Sequence, residues 1–372
     1  MLIGVLGAGQ LGRMLALAGL PLGFRFRFLD PSPESPAGQV AEQIVGGYED
    51  PAALKEFCRG LDVATWEFEN VPVAAARWVS EQVPMFPPPN ALEVGQDRLH
   101  EKHLFKEMGL EVHAFAPASS FAEFQAAVRQ VGLPVVVKTR RGGYDGKGQA
   151  LLRDGADRNA IAKAWQDLGG VPVLVEKFVP FERELSVIGV RGRSGEFRAY
   201  PLVQNTHRAG ILRVSTAPCE GWNRDLQARG ERYAQAIMER LDYVGVLAIE
   251  FFEVGGQLLA NEMAPRVHNT GHWTIEGTKT SQFENHVRAV AGLPLGPTSP
   301  LGASAMINLI GTAPDVRAML EVEHAHVHLY GKSARAGRKV GHVTVVGSTP
   351  QAITPSIDRL LMMANDAAGE SR

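Results

Sequence analysis

The 372-residue sequence predicts a protein that is α/β at its start and α+β further on, built from three units. Near the N-terminus, short apolar strands alternate with helical patterns, which implies a parallel sheet. From residue 173 onward the pattern turns strand-rich, and proline clusters at 84–89 and 294–300 punctuate the chain. These clusters divide it into expected domains 1–95, 96–296 and 297–372.

The first unit opens with a strand at 2–6, a tight glycine turn at 7–12 and a helix starting at 13–19. Strands follow at 24–29 and 62–66, and the prolines at 84–89 read as a linker, since consecutive prolines continue neither helix nor central strand. An amphipathic helix at 97–108 stops at Gly109, then come a helix at 121–131 and a strand at 135–138. Strands at 173–178, 184–191, 198–204 and 212–215 precede a helix at 225–241. Strands at 246–254 and 257–264 flank Gly255-Gly256, a hairpin signal. A helix at 282–291, short strands and a closing helix at 357–368 complete the chain.

Thirty-eight basic residues against forty acidic ones leave a net charge of -2, so no broad positive field exists for a nucleic acid or an anionic membrane. Small molecules are the expected partners. The two cysteines, Cys58 and Cys219, lack metal-ligand spacing and suit a reducing cytoplasm. The apolar start has no basic leader, and no run approaches the ~18 apolar residues that span a bilayer.

Gly7-Ala8-Gly9-Gln10-Leu11-Gly12 satisfies G-x-G-x-x-G, with Asp30 at the end of the next strand. Alone it reads as a dinucleotide site; the physics supports the broader statement that glycines and a helix N-terminus accommodate a phosphate, or only a tight turn. More informative is Lys138-Thr139-Arg140-Arg141-Gly142-Gly143-Tyr144-Asp145-Gly146-Lys147-Gly148-Gln149. A strand delivers Lys138, then four glycines alternate with polar residues, which suits a flap whose N–H groups fold over a polyphosphate. It is no Walker loop, because Gly148 leads into Gln149 and a strand-like pattern instead of a helix.

Strand periodicity puts Glu250 on the face of Val246, Ala248 and Phe252, where an apolar side chain is expected. A three-residue turn would set Glu250 opposite Glu262, a two-residue turn opposite Asn261. Facing carboxylates repel unless a divalent ion lies between them, and Mg²⁺ favours a few carboxylates plus phosphates. Glu176-Lys177-Phe178-Val179 crosses between units, where backbone groups can meet a purine while Glu184 reaches a ribose. Arg266 to His272 concentrates donors suited to a small oxyanion, and Gly331 to Lys339 gathers cations as either a solvated loop or a phosphate clamp. Glu69, in Trp66-Glu67-Phe68-Glu69-Asn70, lies at a strand's C-terminal rim, either solvated or accepting a substrate hydrogen bond.

Taken together, GAGQLGRM at 7–14, QDRLHEK at 96–102, KTRRGGYDGKGQ at 138–149, NEMAPRVHNTGHW at 261–273 and GRKVGH at 337–342 resemble the N5-carboxyaminoimidazole ribonucleotide synthetase family. The resemblance implies an ATP-grasp fold with a Rossmann-like N-terminal domain, a mobile lid at about 115–180 in the second unit, and a small β-rich C-terminal domain packing on the ATP-grasp core. It implies carboxylation of 5-aminoimidazole ribonucleotide with ATP and bicarbonate through carboxyphosphate, with Mg²⁺ or Mn²⁺, by a homodimer. By match to the family pattern, ATP falls to Arg98, Lys138, Gly143 to Gln149 (with Tyr144, Asp145, Gly146, Lys147 and Gly148), Glu176, Lys177, Phe178, Val179, Glu184, His207, Asn261 and Glu262. Glu250 and Glu262 hold the metal, while Lys138, Asp145, Arg266 and His268 take catalytic roles. The second substrate falls to Gly9, Gln10, Leu11, Glu69, Tyr144, Asp145, Arg266, His268, Asn269, Thr270, Lys332, Arg335 and Arg338. Another ATP-grasp ligase is the nearest alternative; a nicotinamide dehydrogenase would leave the flap unexplained.

Overall fold

A computed structural model describes residues 1–143 and 146–369. The first sheet is parallel, in the order β3-β2-β1-β4, from β1 (Leu2–Leu6), β2 (Arg25–Asp30), β3 (Glu42–Val45) and β4 (Val63–Trp66). Helices α1 (Gln10–Gly19), α2 (Pro51–Cys58), α3 (Val73–Gln82) and α4 (Pro89–Gly95) connect and follow its strands. The sequence reading missed β3, whose four residues include no fully buried side chain, so no hydrophobic alternation marks it. Helix α1 starts inside the glycine turn, three residues before its expected first residue. The prolines at 84–89 are not a free linker: Met85 bridges to Ala64 on the sheet, and Pro89 occupies the first turn of α4, where its missing N–H costs nothing.

Helix α5 (Arg98–Glu107) leads to the unit expected as the lid, a four-stranded antiparallel sheet in the order β5-β8-β6-β7. Its strands are β5 (Phe115–Ala118), β6 (Val135–Thr139), β7 (Gln149–Leu152) and β8 (Val173–Lys177), with helices α6 (Phe121–Val131) and α7 (Arg158–Asp167). Phe124, Val128, Val135, Val137 and Val175 belong to a core that this unit keeps to itself.

The third sheet has nine strands and carries the site. It contains β9 (Arg183–Arg191), β10 (Phe197–Ala199), β11 (Val203–Arg208), β12 (Ile211–Ala217), β13 (Gly245–Val254) and β14 (Gln257–Ala264). Helices α8 (Arg224–Arg240), α9 (Thr274–Gly277) and α10 (Gln282–Ala291) pack around it. The expected strand at 198–204 splits into β10 and β11 around Pro201, which has no N–H for a ladder. The tail supplies β15 (Ala303–Ile310), α11 (Val316–Leu320), β16 (Ala325–Leu329), β17 (Lys339–Gly347) and α12 (Pro350–Ala368). The order is β14-β13-β9-β11-β12-β15-β17-β16, with β10 on β9. Since β15 pairs with β12, the tail extends the core sheet edge to edge, and the boundary expected at 297 falls within one continuous sheet. Helix α12 begins at Pro350, seven residues before the expected start, and covers the apolar face of Ala305, Ile307, Val343 and Val345.

Candidate active site

Strands β13 and β14 build the centre of the site. The turn is the two-residue one, since Val254 pairs with Gln257, yet Glu250 lies opposite Glu262. A β-bulge reconciles the two: Phe251 pairs with Ala260, Glu250 with Glu262, and Asn261 is the extra residue. Val246 and Ala248, on the same face as Glu250, are fully buried, so the carboxylate occupies the end of an apolar row.

The two acids are not equivalent. Burial and then repulsion from Glu262 push the Glu250 pKa up, whereas at Glu262 burial is overcome by Arg98 and Lys138, which hold it down. Arg98 donates to Glu262 at 2.8 Å, and its other nitrogen reaches the carbonyl of Gly143 in the flap at 3.4 Å. Lys138, at the end of β6, meets Glu176 at 2.7 Å and Asn261 Oδ1 at 3.1 Å. A carboxylate pair with this charge imbalance is a donor set that could hold a divalent cation. Among the described residues no group of three or more His, Cys, Asp and Glu forms a metal cage.

These groups line one cavity of about 850 Å³. The flap residues Gly143, Gly146, Lys147, Gly148 and Gln149 form one side. Glu176 to Val179 with Glu184 and His207 form another, and Arg98, Glu250, Asn261 and Glu262 the base. Tyr144 and Asp145 lie outside the described residues. Glu184 is hydrogen-bonded to the His207 ring and, against burial, raises its pKa. Sequence reasoning missed Phe181, which stacks on Phe252 with ring centroids 4.6 Å apart, both lining the cavity. The signal for Phe252 was its place on the face of Glu250; Phe181, outside any periodic element, offered none.

Arg266, His268 and Asn269 extend the cavity from the acid pair. Glu69 also lines it, but its carboxylate is paired with Arg266, which outweighs burial and lowers its pKa to about 2. It orients the guanidinium. His268 Nδ1 lies 2.8 Å from Thr270 Oγ1, and burial followed by Arg266 lowers the ring pKa to about 3, so it is neutral. Thr270 is fully buried beneath His268 and does not line the cavity.

The glycine turn behaves differently from expectation. The N–H groups of Gly9 and Gly12 donate to the two carboxylate oxygens of Glu67, and that of Ala8 to Asp30 at 3.0 Å. The chain's own acids thus take these donors, and only Gln10 and Leu11 of this turn reach the cavity. Lys332 donates to Gln10 Oε1 and, with Arg338, lines a second cavity of about 820 Å³ between the basic loop and residues 32–39. Arg335 is exposed and lines neither cavity. That the 32–39 segment faces Lys332 was not legible, because nothing local in the sequence relates residues three hundred apart.

Comparisons with known proteins agree with this architecture. Residues 1–96 match the ribonucleotide synthetase preATP-grasp domain, 103–283 the ATP-grasp domain, and 304–355 the phosphoribosylaminoimidazole carboxylase C-terminal domain. The N5-carboxyaminoimidazole ribonucleotide synthase of Pseudomonas aeruginosa is 52% identical over 345 residues, 93% of this chain and 94% of that protein. The crystal structure of N5-carboxyaminoimidazole ribonucleotide synthetase from Thermus thermophilus superposes with a TM-score of 0.93 at 55% identity, covering 97% of this chain and 98% of the other. The Aspergillus clavatus enzyme, solved with ADP and 5-aminoimidazole ribonucleotide, gives 0.88 at 30% identity over 96% of this chain and 98% of the other. With domain order, flap and acid pair all in place, the chain belongs to the N5-carboxyaminoimidazole ribonucleotide synthase family of ATP-grasp ligases.

Proposed function

We propose that this chain carboxylates the exocyclic amine of 5-aminoimidazole ribonucleotide with bicarbonate and ATP, releasing ADP and phosphate, in purine biosynthesis. The observation that carries the reading is that two cavities meet at the Lys332–Gln10 hydrogen bond, Gln10 lining the first and Lys332 the second. A glycine flap and acid pair fit a nucleotide triphosphate, Arg266 and His268 adjoin them, and Lys332 with Arg338 wait beyond Gln10. The Phe181–Phe252 stack offers an apolar wall for the adenine.

A bicarbonate oxygen attacks the γ-phosphorus, the bond to ADP breaks, and carboxyphosphate forms. The amine nitrogen then takes the carboxyl carbon, phosphate leaves, and the amine loses a proton. Lys138 and the flap N–H groups stabilise the charge on the transferred phosphoryl group, so catalysis is chiefly positioning. Glu250 and Glu262 would hold a Mg²⁺ or Mn²⁺ ion, which would supply further neutralisation of the triphosphate. Arg266, oriented by Glu69, holds the carboxyl oxygens, and neutral His268 donates or accepts beside it without adding charge. Asp145 orients the amine and accepts its proton. Closure of the 115–180 lid excludes the water that would destroy carboxyphosphate. Lys332 and Arg338 clamp the ribonucleotide phosphate. The reading includes a homodimer working in the cytoplasm.

ADP release from ATP, magnesium and bicarbonate, with and without 5-aminoimidazole ribonucleotide, tests it. Turnover that depends on the ribonucleotide is expected; equal turnover without it points to another ligase acceptor. Glu262→Gln should lower ADP formation by roughly 100- to 1000-fold in a folded protein, and wild-type turnover in that variant removes Glu262 from the metal site.

A further inference from the structure

Lys102, on α5, has 1% of its side chain exposed, and its ammonium touches two sheets. It donates to the carbonyls of Ala260 at 3.1 Å and Asn261 at 2.7 Å on β14, and pairs with Glu176 on β8 at 3.3 Å. It does not line the cavity, so it has no route to the nucleotide. The carbonyls it holds lie at the bulge, the one place where the β13–β14 ladder skips a residue. Its neighbour Glu101 accepts from the N–H of Met263 at 2.6 Å. Two successive residues of one helix therefore grip the backbone on either side of Glu262.

The physical consequence concerns register. The two-residue turn by itself would continue the ladder with Glu250 opposite Asn261, and a one-residue slip turns each later side chain to the other face. An extra strand residue leaves backbone groups outside the ladder, and buried backbone groups require partners. Lys102 supplies the donor. Resting on the reading of Glu250 and Glu262 as a metal pair, we propose that Lys102 is a positioning residue that holds the Asn261 bulge and thereby sets Glu262 opposite Glu250. Its pairing with Glu176, which also meets Lys138 at 2.7 Å, ties the same strand to the lid sheet.

Lys102→Met removes the ammonium and keeps much of the volume. Hydrogen exchange of the metal-free, nucleotide-free protein should accelerate at residues 259–264 and stay unchanged in the rest of β13. With saturating ADP, Mn²⁺ affinity measured by electron paramagnetic resonance should fall roughly 10- to 100-fold, while ADP binding without metal is retained. Unchanged exchange at 259–264, or exchange that rises throughout β13 and α5 with equal loss of ADP binding, overturns the proposal. If Lys102→Met does not fold, Lys102→Leu, which also lacks a donor, replaces it under the same criteria. A wild-type Mn²⁺ affinity that Glu262→Gln leaves untouched would sink the metal reading instead, and the exchange result would still judge the bulge.

Discussion

The chain has two glycine-rich loops, and Gly9 and Gly12 of the first serve a different purpose from Gly142 of the second. In the turn at 7–12 the glycines allow close packing. A Cβ on Gly9 would sit 2.5 Å from Glu67 Oε1, and one on Gly12 would sit 2.9 Å from the Phe28 ring. In the flap, Gly142, Gly146 and Gly148 have φ values of 76°, 76° and 69°, a left-handed backbone that side chains strain. A Cβ on Gly142 would meet nothing within 4 Å. The first loop is thus closed over an internal carboxylate, and the second is shaped for a ligand from outside. Similar spacing of one residue type carries no functional message until its donors are traced.

The strongest test of this contrast is Gly9→Ala. Because the new methyl group must displace Glu67, unfolding in urea should show a loss of about 1 to 3 kcal/mol, and an unchanged midpoint would break the comparison. Gly142→Ala should do the reverse. Its strain, about 1 kcal/mol, falls in the flap, so urea stability should drop by no more than that while ADP formation slows about fivefold. Global destabilisation would show that the flap is packed as the first loop is.

The smallest expected effect concerns the first loop, where Lys332 meets Gln10. Burial lowers the Lys332 pKa from its ordinary 10.5 to about 8; Glu67 opposes the shift, and Arg338, Lys339 and Arg335 add to it. Between these two values the unfolded chain binds more protons than the folded one, so this group's contribution to stability rises with pH across that window, and its penalty is complete below it. Ligand binding runs the other way. As the ammonium gives up its proton above about pH 8, KM for the ribonucleotide should rise about twofold, and Lys332→Ala should lack that rise.

Much of the site was legible because its signals are local. The flap announced itself by Lys138 followed by alternating glycines, and Glu250 by a carboxylate in an apolar row. Glu176 to Val179 lay at the end of a strand pattern, where the structure puts one wall of the cavity. Other features had no local trace. Glu67 read as a rim acid, yet it fills the glycine turn of another segment. The tail read as a β-rich domain packing on the core, and that its strands join the core sheet edge to edge had no local trace, since edge pairing needs only free backbone groups.

The amino-acid pattern by itself determined many of the strongly periodic elements and the residue chemistry of the flap and acid pair, because periodicity and backbone preference act over a few neighbours. Only the tertiary structure decided which partner Glu250 faces. The turn at Gly255-Gly256 argued for Asn261, and the bulge answered with Glu262. That outcome depends on contacts from α5, more than 150 residues earlier in the chain, where Lys102 and Glu101 meet the backbone of β14.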